Sequence, residues 1–158
     1  MNDKIRVLLS EEEVAKRIKE MGEVISSDYE GRPLHLICIL KGGVFFTCEL
    51  AKRISLPLTL DFMSVSSYGA GTVSSGIVKI VKDLDEPIEG KDVLIVEDII
   101  DSGNTLSYLI EVLKQRNPKS IELCTLLDKP ERRVKKQVTV KYTCFTVPDQ
   151  FIVGYGLD

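Results

Sequence analysis

Residues 93–105, Val-Leu-Ile-Val-Glu-Asp-Ile-Ile-Asp-Ser-Gly-Asn-Thr, constrain the fold of this chain more than any other segment. Val93 to Val96 form a short continuous apolar run, as in a buried strand. Glu97 and Asp98 follow directly, then Ile99, Ile100 and a further acid, Asp101. From Leu106 the apolar residues fall at 106, 109, 110 and 113, which is the helical period. The segment reads as buried strand, acidic tip, tight Gly loop and helix.

The same residues carry chemistry. Ser102, Gly103, Asn104 and Thr105 open the helix, so backbone N–H groups, two hydroxyls and the positive end of the helix dipole converge. That arrangement suits a phosphate dianion. Acids beside a phosphate repel it unless they hold sugar hydroxyls and a divalent cation that bridges to the phosphate. The loop therefore predicts a ligand with a phosphate and a ribose, and Mg²⁺ as cofactor.

Elsewhere strand and helix patterns alternate. Ser10 and Glu13 form a capping box ahead of a helix whose apolar face is Val14, Ile18, Met21 and Ile25. Gly31 is a stop. Leu34 to Leu40 is a strand, Lys41-Gly42-Gly43 a loop, and Val44 to Ile54 a helix. Strands follow at Leu58 to Val65 and Ile77 to Val81, separated by a polar Ser- and Gly-rich stretch, 66–76. After the helix that ends near Arg116-Asn117-Pro118, strands are expected at Ile121 to Leu127, Val138 to Thr146 and Phe151 to Val153. The alternation implies α/β architecture with a mainly parallel sheet and right-handed crossovers. Ligands of such sheets lie at the carboxyl ends of the strands, where Lys41, Glu97, Asp98, Asp101 and Lys129 all fall.

Composition narrows the class. The chain has 158 residues, 44% hydrophobic and 28% charged, which fits one globular domain. A net charge of −3 disfavours a general nucleic-acid binder. No apolar stretch reaches the length of a membrane span, and no signal-peptide core precedes residue 10. Cys38, Cys48, Cys124 and Cys144 show no metal-ligand spacing and read as thiols in a reducing cytoplasm. His35 lies in a strand without a partner pattern and reads as structural. Arg132-Arg133-Val134-Lys135-Lys136 reads as a solvated connection.

The run Val96 to Thr105 resembles the phosphoribosyl-diphosphate (PRPP) signature of the type I phosphoribosyltransferases. Further segments narrow the resemblance to the bacterial hypoxanthine phosphoribosyltransferases. They are Leu40-Lys41-Gly42-Gly43, Val65-Ser66-Ser67-Tyr68-Gly69, Leu126-Leu127-Asp128-Lys129-Pro130 and Phe151-Ile152-Val153-Gly154-Tyr155-Gly156-Leu157-Asp158. The resemblance covers the chain from about Ile5 to its last residue. It implies the type I fold: one domain over 1–158, with a twisted sheet flanked by helices as a core over about 10–128. A small hood over the purine site would come from the N-terminal residues and about 129–158, and a mobile lid from about 66–77. The implied activity is purine salvage in the cytoplasm. Hypoxanthine or guanine plus PRPP gives IMP or GMP plus diphosphate, with Mg²⁺, in a homodimer or homotetramer.

Roles follow residue by residue. The resemblance places the backbone of Lys41 and Gly42 at the diphosphate, sometimes through a cis peptide; an ordinary surface Lys before a helix is the alternative. It places Glu97 and Asp98 at the ribose hydroxyls, with Glu97, Asp98 and Asp158 near the metal. Ser102, Gly103, Asn104 and Thr105 hold the phosphate. Being adjacent in a strand, Glu97 and Asp98 should point to opposite faces and not form a simple carboxylate pair. Asp101 is the catalytic candidate, taking the N7 proton as the purine attacks C1 of the ribose. Spacing alone leaves that role level with a helix cap. In the purine pocket, Lys129 would donate to a 6-oxo group, Phe151 would stack on the base and the Ile152 backbone would read its edge. Without the resemblance, Phe151 reads as core. Ser67 and Tyr68 belong to the lid, which shields an oxocarbenium-like centre from water, and a flexible hairpin loop is the alternative. The family pattern continues beyond Asp158 through a Tyr-containing segment with a diphosphate-binding Arg. The sequence stops at Asp158, so that segment is either left out of it or lacking in this version, and by the resemblance it bears on diphosphate clamping and closure of the base pocket.

Two other classes compete. An RNA-binding regulator on the same fold is disfavoured by the acidic pI, about 5.3, and by the Lys129–Phe151 pattern. A receiver domain would carry its acid pair near the N-terminus, not past the middle of the chain.

Overall fold

The computed structural model describes residues 5–67, 78–134 and 138–157. Its elements, in chain order, are α1 (Glu11–Asp28), β1 (Leu34–Leu40), α2 (Val44–Ala51), β2 (Leu58–Ser67), β3 (Val78–Lys82), β4 (Asp92–Ile100), α3 (Asn104–Lys114), β5 (Ser120–Asp128), a 3₁₀ turn (Pro130–Arg132) and β6 (Tyr142–Thr146). The strands form one sheet in the order β3-β2-β1-β4-β5-β6. Every pairing is parallel except β2 with β3. This is the mainly parallel α/β sheet that the alternation of elements requires.

The inner strands are apolar on both faces because helices cover both. From β1, Leu34 and Leu36 pack with Ile18, Met21 and Ile25 of α1 and with Phe46 and Leu50 of α2. Ile37 and Ile39 face the other way, toward Leu106, Leu109 and Leu113 of α3. Two-sided burial is why β1 reads as a run and not as an alternation. The one polar side chain within that strand, His35, sits with Nδ1 2.6 Å from Thr59 Oγ1. Burial, helped by the charge of Lys91, holds its pKa below the ordinary value, so it stays neutral and structural.

Local signals account for the element ends. In the α1 capping box, Glu13 N–H donates to Ser10 Oγ at 3.1 Å and Ser10 N–H donates to Glu13 Oε1 at 3.0 Å. Where α1 crosses the end of α2, Gly22 leaves room for the backbone of Arg53; a Cβ at 22 would lie 2.5 Å from the Arg53 carbonyl oxygen. At the sheet edge, Arg17 of α1 donates to the carbonyls of Cys144 (2.9 Å) and Thr143 (3.1 Å), covering part of the open side of β6.

Four expectations are corrected. Strand β6 starts at Tyr142, not Val138, because Val138 is buried against the α3 side of the core as part of a loop. Residues 151–153 form no strand; they have no strand pairing, and the chain there turns through the left-handed Gly154 and Gly156. Helix α2 stops at Ala51, and Ile54 is reached through turns. Strand β4 does not end at Val96 but carries the acids within it as far as Ile100. Among the described residues, no helix is long and apolar enough to cross a membrane.

Candidate active site

The connections from β1 to β2 and from β4 to β5 run in opposite directions away from the centre of the sheet. The carboxyl ends of β1 and β4 therefore flank a topological switch point, where doubly wound sheets bind ligands. The pairing of β1 with β4 ends at Cys38↔Val96, while β4 stays paired with β5 as far as Ile100↔Asp128. Glu97 and Asp98 thus lie on a strand that has lost its neighbour on one side. The chain from Lys41 to Gly43 enters that opening.

The fit there is close. The Leu40–Lys41 peptide is cis. Gly42 lies against the Asp98 carboxylate, and a Cβ at 42 would come 2.8 Å from Asp98 Cγ. Gly43 is seated between the carbonyls of Ile39 and Val96, 2.8 and 3.2 Å from where its Cβ would be. Any side chain at these two positions would push the loop off the acids.

Glu97 and Asp98 stand next to each other near the end of β4. Asp98 turns back on its own strand to accept the Ile99 N–H at 2.7 Å. Burial, with the charge of Asp98 added, pushes the Glu97 carboxyl well above the usual carboxylate range. Asp98 is raised as well, chiefly by burial. Two carboxyls so placed favour sharing a proton or taking up a cation in its stead. They are hard oxygen donors, and Mg²⁺ is usually held by one or two carboxylates plus substrate oxygens, so the pair fits that ion. Among the described residues there is no group of three or more His, Cys, Asp or Glu that could hold a metal without such help.

Beyond the acids, Gly103 is the N-cap of α3, with φ +82° and no side-chain cap. Ser102 Oγ accepts the Asn104 N–H at 3.3 Å, curling the loop so that its amides gather ahead of the helix. Only glycine adopts this left-handed backbone at little cost. Val there costs about 1–2 kcal/mol from backbone alone, and 1.4 kcal/mol is a factor of ten in affinity. Gly103→Val is expected to weaken PRPP binding at least tenfold while the thermal melt stays cooperative. Unchanged affinity in a calorimetric titration would refute the phosphate-loop assignment.

Asp101 follows β4, half exposed, with Oδ1 3.9 Å from Nζ of Lys129. Lys129 follows β5, is 8% exposed, and its N–H donates to the Ile100 carbonyl at 3.0 Å. The structure thus brings Lys41, Gly42, Glu97, Asp98, the 101–105 loop and Lys129 to one edge of the sheet. Ser67 ends β2 opposite Val78; Tyr68 and Asp158 lie outside the described residues. Phe151 is 86% exposed, so it is not core, and Ile152 packs partly on the α1 side of the core. Both line a largely apolar cavity of about 1040 Å³ with Ile5 to Leu9 of the N-terminal arm; Lys129 and the phosphate loop do not line it.

One residue of the basic run is corrected: the Arg133 side chain is 15% exposed, whereas Arg132 stays 55% exposed and residues 135–136 lie outside the described residues. The Arg133 guanidinium pairs with the Asp128 carboxylate and its Nε–H donates to the Asp101 carbonyl at 3.1 Å, while Val134 N–H donates to the Ser102 carbonyl at 2.8 Å. The signal available in the sequence was Asp128 itself, an acid closing an apolar strand, since a carboxylate buried there needs a cation.

Comparison with known proteins agrees with this geometry. The family model described as "Phosphoribosyl transferase domain" matches residues 6–158. The hypoxanthine-guanine phosphoribosyltransferase of Bacillus subtilis is 54% identical over 97% of this chain and 84% of its own length. The bifunctional protein TilS/HprT of Listeria monocytogenes is 52% identical over 99% of this chain, which spans only 24% of that protein. A crystal structure of a hypoxanthine phosphoribosyltransferase from Staphylococcus aureus superposes with a TM-score of 0.95 at 50% identity, covering 99% of this chain and 85% of that one. Site geometry and likeness over nearly the whole chain agree: the chain belongs to the phosphoribosyltransferase family, among the hypoxanthine-guanine phosphoribosyltransferases.

Proposed function

We propose that this protein is a purine-salvage transferase that makes IMP, and GMP from guanine, by moving the phosphoribosyl group of PRPP onto the purine. The observation that carries this reading is the meeting of Lys129 Nζ and Asp101 Oδ1 at 3.9 Å beside the phosphate loop. O6 and N7 lie side by side on one edge of a 6-oxopurine. A donor next to an acceptor matches that edge, with Lys129 donating to O6 and Asp101 accepting the N7 proton.

The other residues supply binding and orientation. The amides and hydroxyls of 102–105 hold the 5′-phosphate, and Glu97 and Asp98 hold the ribose hydroxyls. Lys41 and Gly42 present backbone to the diphosphate. As N9 of the base forms its bond to C1 of the ribose, the C1–oxygen bond breaks and diphosphate leaves with the electron pair. The N7 proton passes to Asp101. By the resemblance, Phe151 stacks on the base and Ile152 offers its backbone to the purine edge. Glu97 and Asp98, with Asp158 by the resemblance, would hold Mg²⁺, which would supply the counter-charge that diphosphate needs beside these acids.

The chain works as a single domain, with core, hood and the 66–77 lid as its parts. It assembles as a homodimer or homotetramer in the cytoplasm. Phe45, Leu60 and Val81, which are 55%, 43% and 63% exposed, supply apolar surface for self-association. The unpaired buried thiols of Cys38, Cys124 and Cys144 suit a reducing compartment.

The direct test is incubation with PRPP, hypoxanthine and Mg²⁺, following nucleotide and diphosphate. Both products are expected in equal amounts, formation is expected to stop with a chelator and to resume when Mg²⁺ is restored. Turnover that persists under chelation would remove the metal from the reading. No nucleotide under any condition would remove the reading itself.

A further inference from the structure

The segment after β5 lies along the phosphate loop as a strap. Three successive carbonyls, of Ile100, Asp101 and Ser102, are taken up by Lys129 N–H (3.0 Å), Arg133 Nε–H (3.1 Å) and Val134 N–H (2.8 Å). The outer two use backbone amides, which any residue would provide. The middle one, at Asp101, depends on a side chain. The same guanidinium grips Asp128 at the end of β5, and both side chains are only 15% exposed. Asp128 in turn is fixed by its backbone, its carbonyl accepting the Val147 N–H at 2.9 Å. One planar fork thus ties the residue carrying the proposed base to the strand that carries Lys129.

We propose that Arg133 is a positioning residue for the transfer step, holding Asp101 in register with Lys129 through its bond to the Asp101 carbonyl. The assignment rests on the phosphoribosyl-transfer reading above. A guanidinium can serve carboxylate and carbonyl together, whereas a single ammonium has no such fork. Displacement of a reacting group by about 1 Å can cost on the order of 10²-fold in rate. The phosphate loop keeps its own hold through Val134 and Ser102, so PRPP binding is largely spared.

The alternative is that Arg133 merely neutralises Asp128. Removing Arg133 alone would strand that buried carboxylate and destabilise the fold, so two other variants separate the readings. Arg133→Lys keeps the charge. Arg133→Ala with Asp128→Asn removes both charges. For each, kcat with hypoxanthine, PRPP affinity by calorimetry and the thermal midpoint are measured. The expected result is a kcat lowered at least tenfold, with PRPP affinity within threefold of wild type and a midpoint near it. In Arg133→Ala, millimolar guanidinium ion is expected to restore part of the lost kcat. A kcat lowered by less than tenfold in both variants, or a parallel loss of PRPP affinity, would overturn the assignment. If the wild-type protein turns over hypoxanthine, such a result sinks the role of Arg133 alone. If it makes no nucleotide, the transfer reading falls and takes this proposal with it.

Discussion

With PRPP and Mg²⁺ present, hypoxanthine or guanine is expected to be converted and adenine to be rejected, with a ratio of kcat/KM of about 10⁴. The reason lies in Lys129. The Lys129 side chain is 11% exposed, and its ammonium donates only. A 6-oxo group accepts that donor; the 6-amino group of adenine is itself a donor, which leaves a largely buried ammonium facing another donor. Desolvating an unpaired charged donor costs more than a normal hydrogen bond contributes, so the mismatch dominates any stacking energy the bases share. Rates for adenine within tenfold of hypoxanthine, measured on the same preparation, would show that Lys129 does not read position 6.

Asp101→Asn is expected to lower kcat by about 10²-fold or more, the range in which a positioned general base acts, while PRPP affinity changes little. The substitution keeps size and hydrogen-bonding reach but removes the ability to take the N7 proton. It leaves the backbone untouched, so the Arg133 and Lys129 bonds to the carbonyls of Asp101 and Ile100 remain. The side chain is half exposed and lies 3.9 Å from the Lys129 ammonium, so little folding energy rests on it. Loss confined to kcat marks an interaction made in the transition state. A near wild-type kcat would reduce Asp101 to a residue that shapes the loop ahead of α3.

Much of this site was legible before any coordinates. The run Val93 to Thr105 specified strand, loop and helix because its apolar period changes at Gly103, and α3 begins at Asn104 as that change requires. The apolar strand Leu34–Leu40 was legible with its exact ends because the run is continuously apolar and the Lys41-Gly42-Gly43 loop closes it. The errors share a cause. Val138 to Lys141 and Phe151 to Val153 carry β-forming residues, yet a strand exists only where a partner edge is open. Whether one is open depends on residues far away in sequence.

The sequence by itself determined the α/β alternation, the glycine-turned loop ahead of α3 and the set of acids and cations at the strand ends. Each of these is written in short-range pattern: hydrophobic period, a glycine at a forced turn, donors and acceptors in a row. Only the tertiary structure decided how those groups meet. The sequence put Glu97 and Asp98 at a strand end, but only the fold left them beyond the last β1 pairing, Cys38↔Val96, with Asp98 turned onto the Ile99 amide. Arg133 looked like one more member of a solvated basic run, but the return of the chain from β5 laid it on Asp101 and Asp128. Charge and burial act through space, and neighbours in space across the ends of β1, β4 and β5 are neighbours only once the sheet has formed.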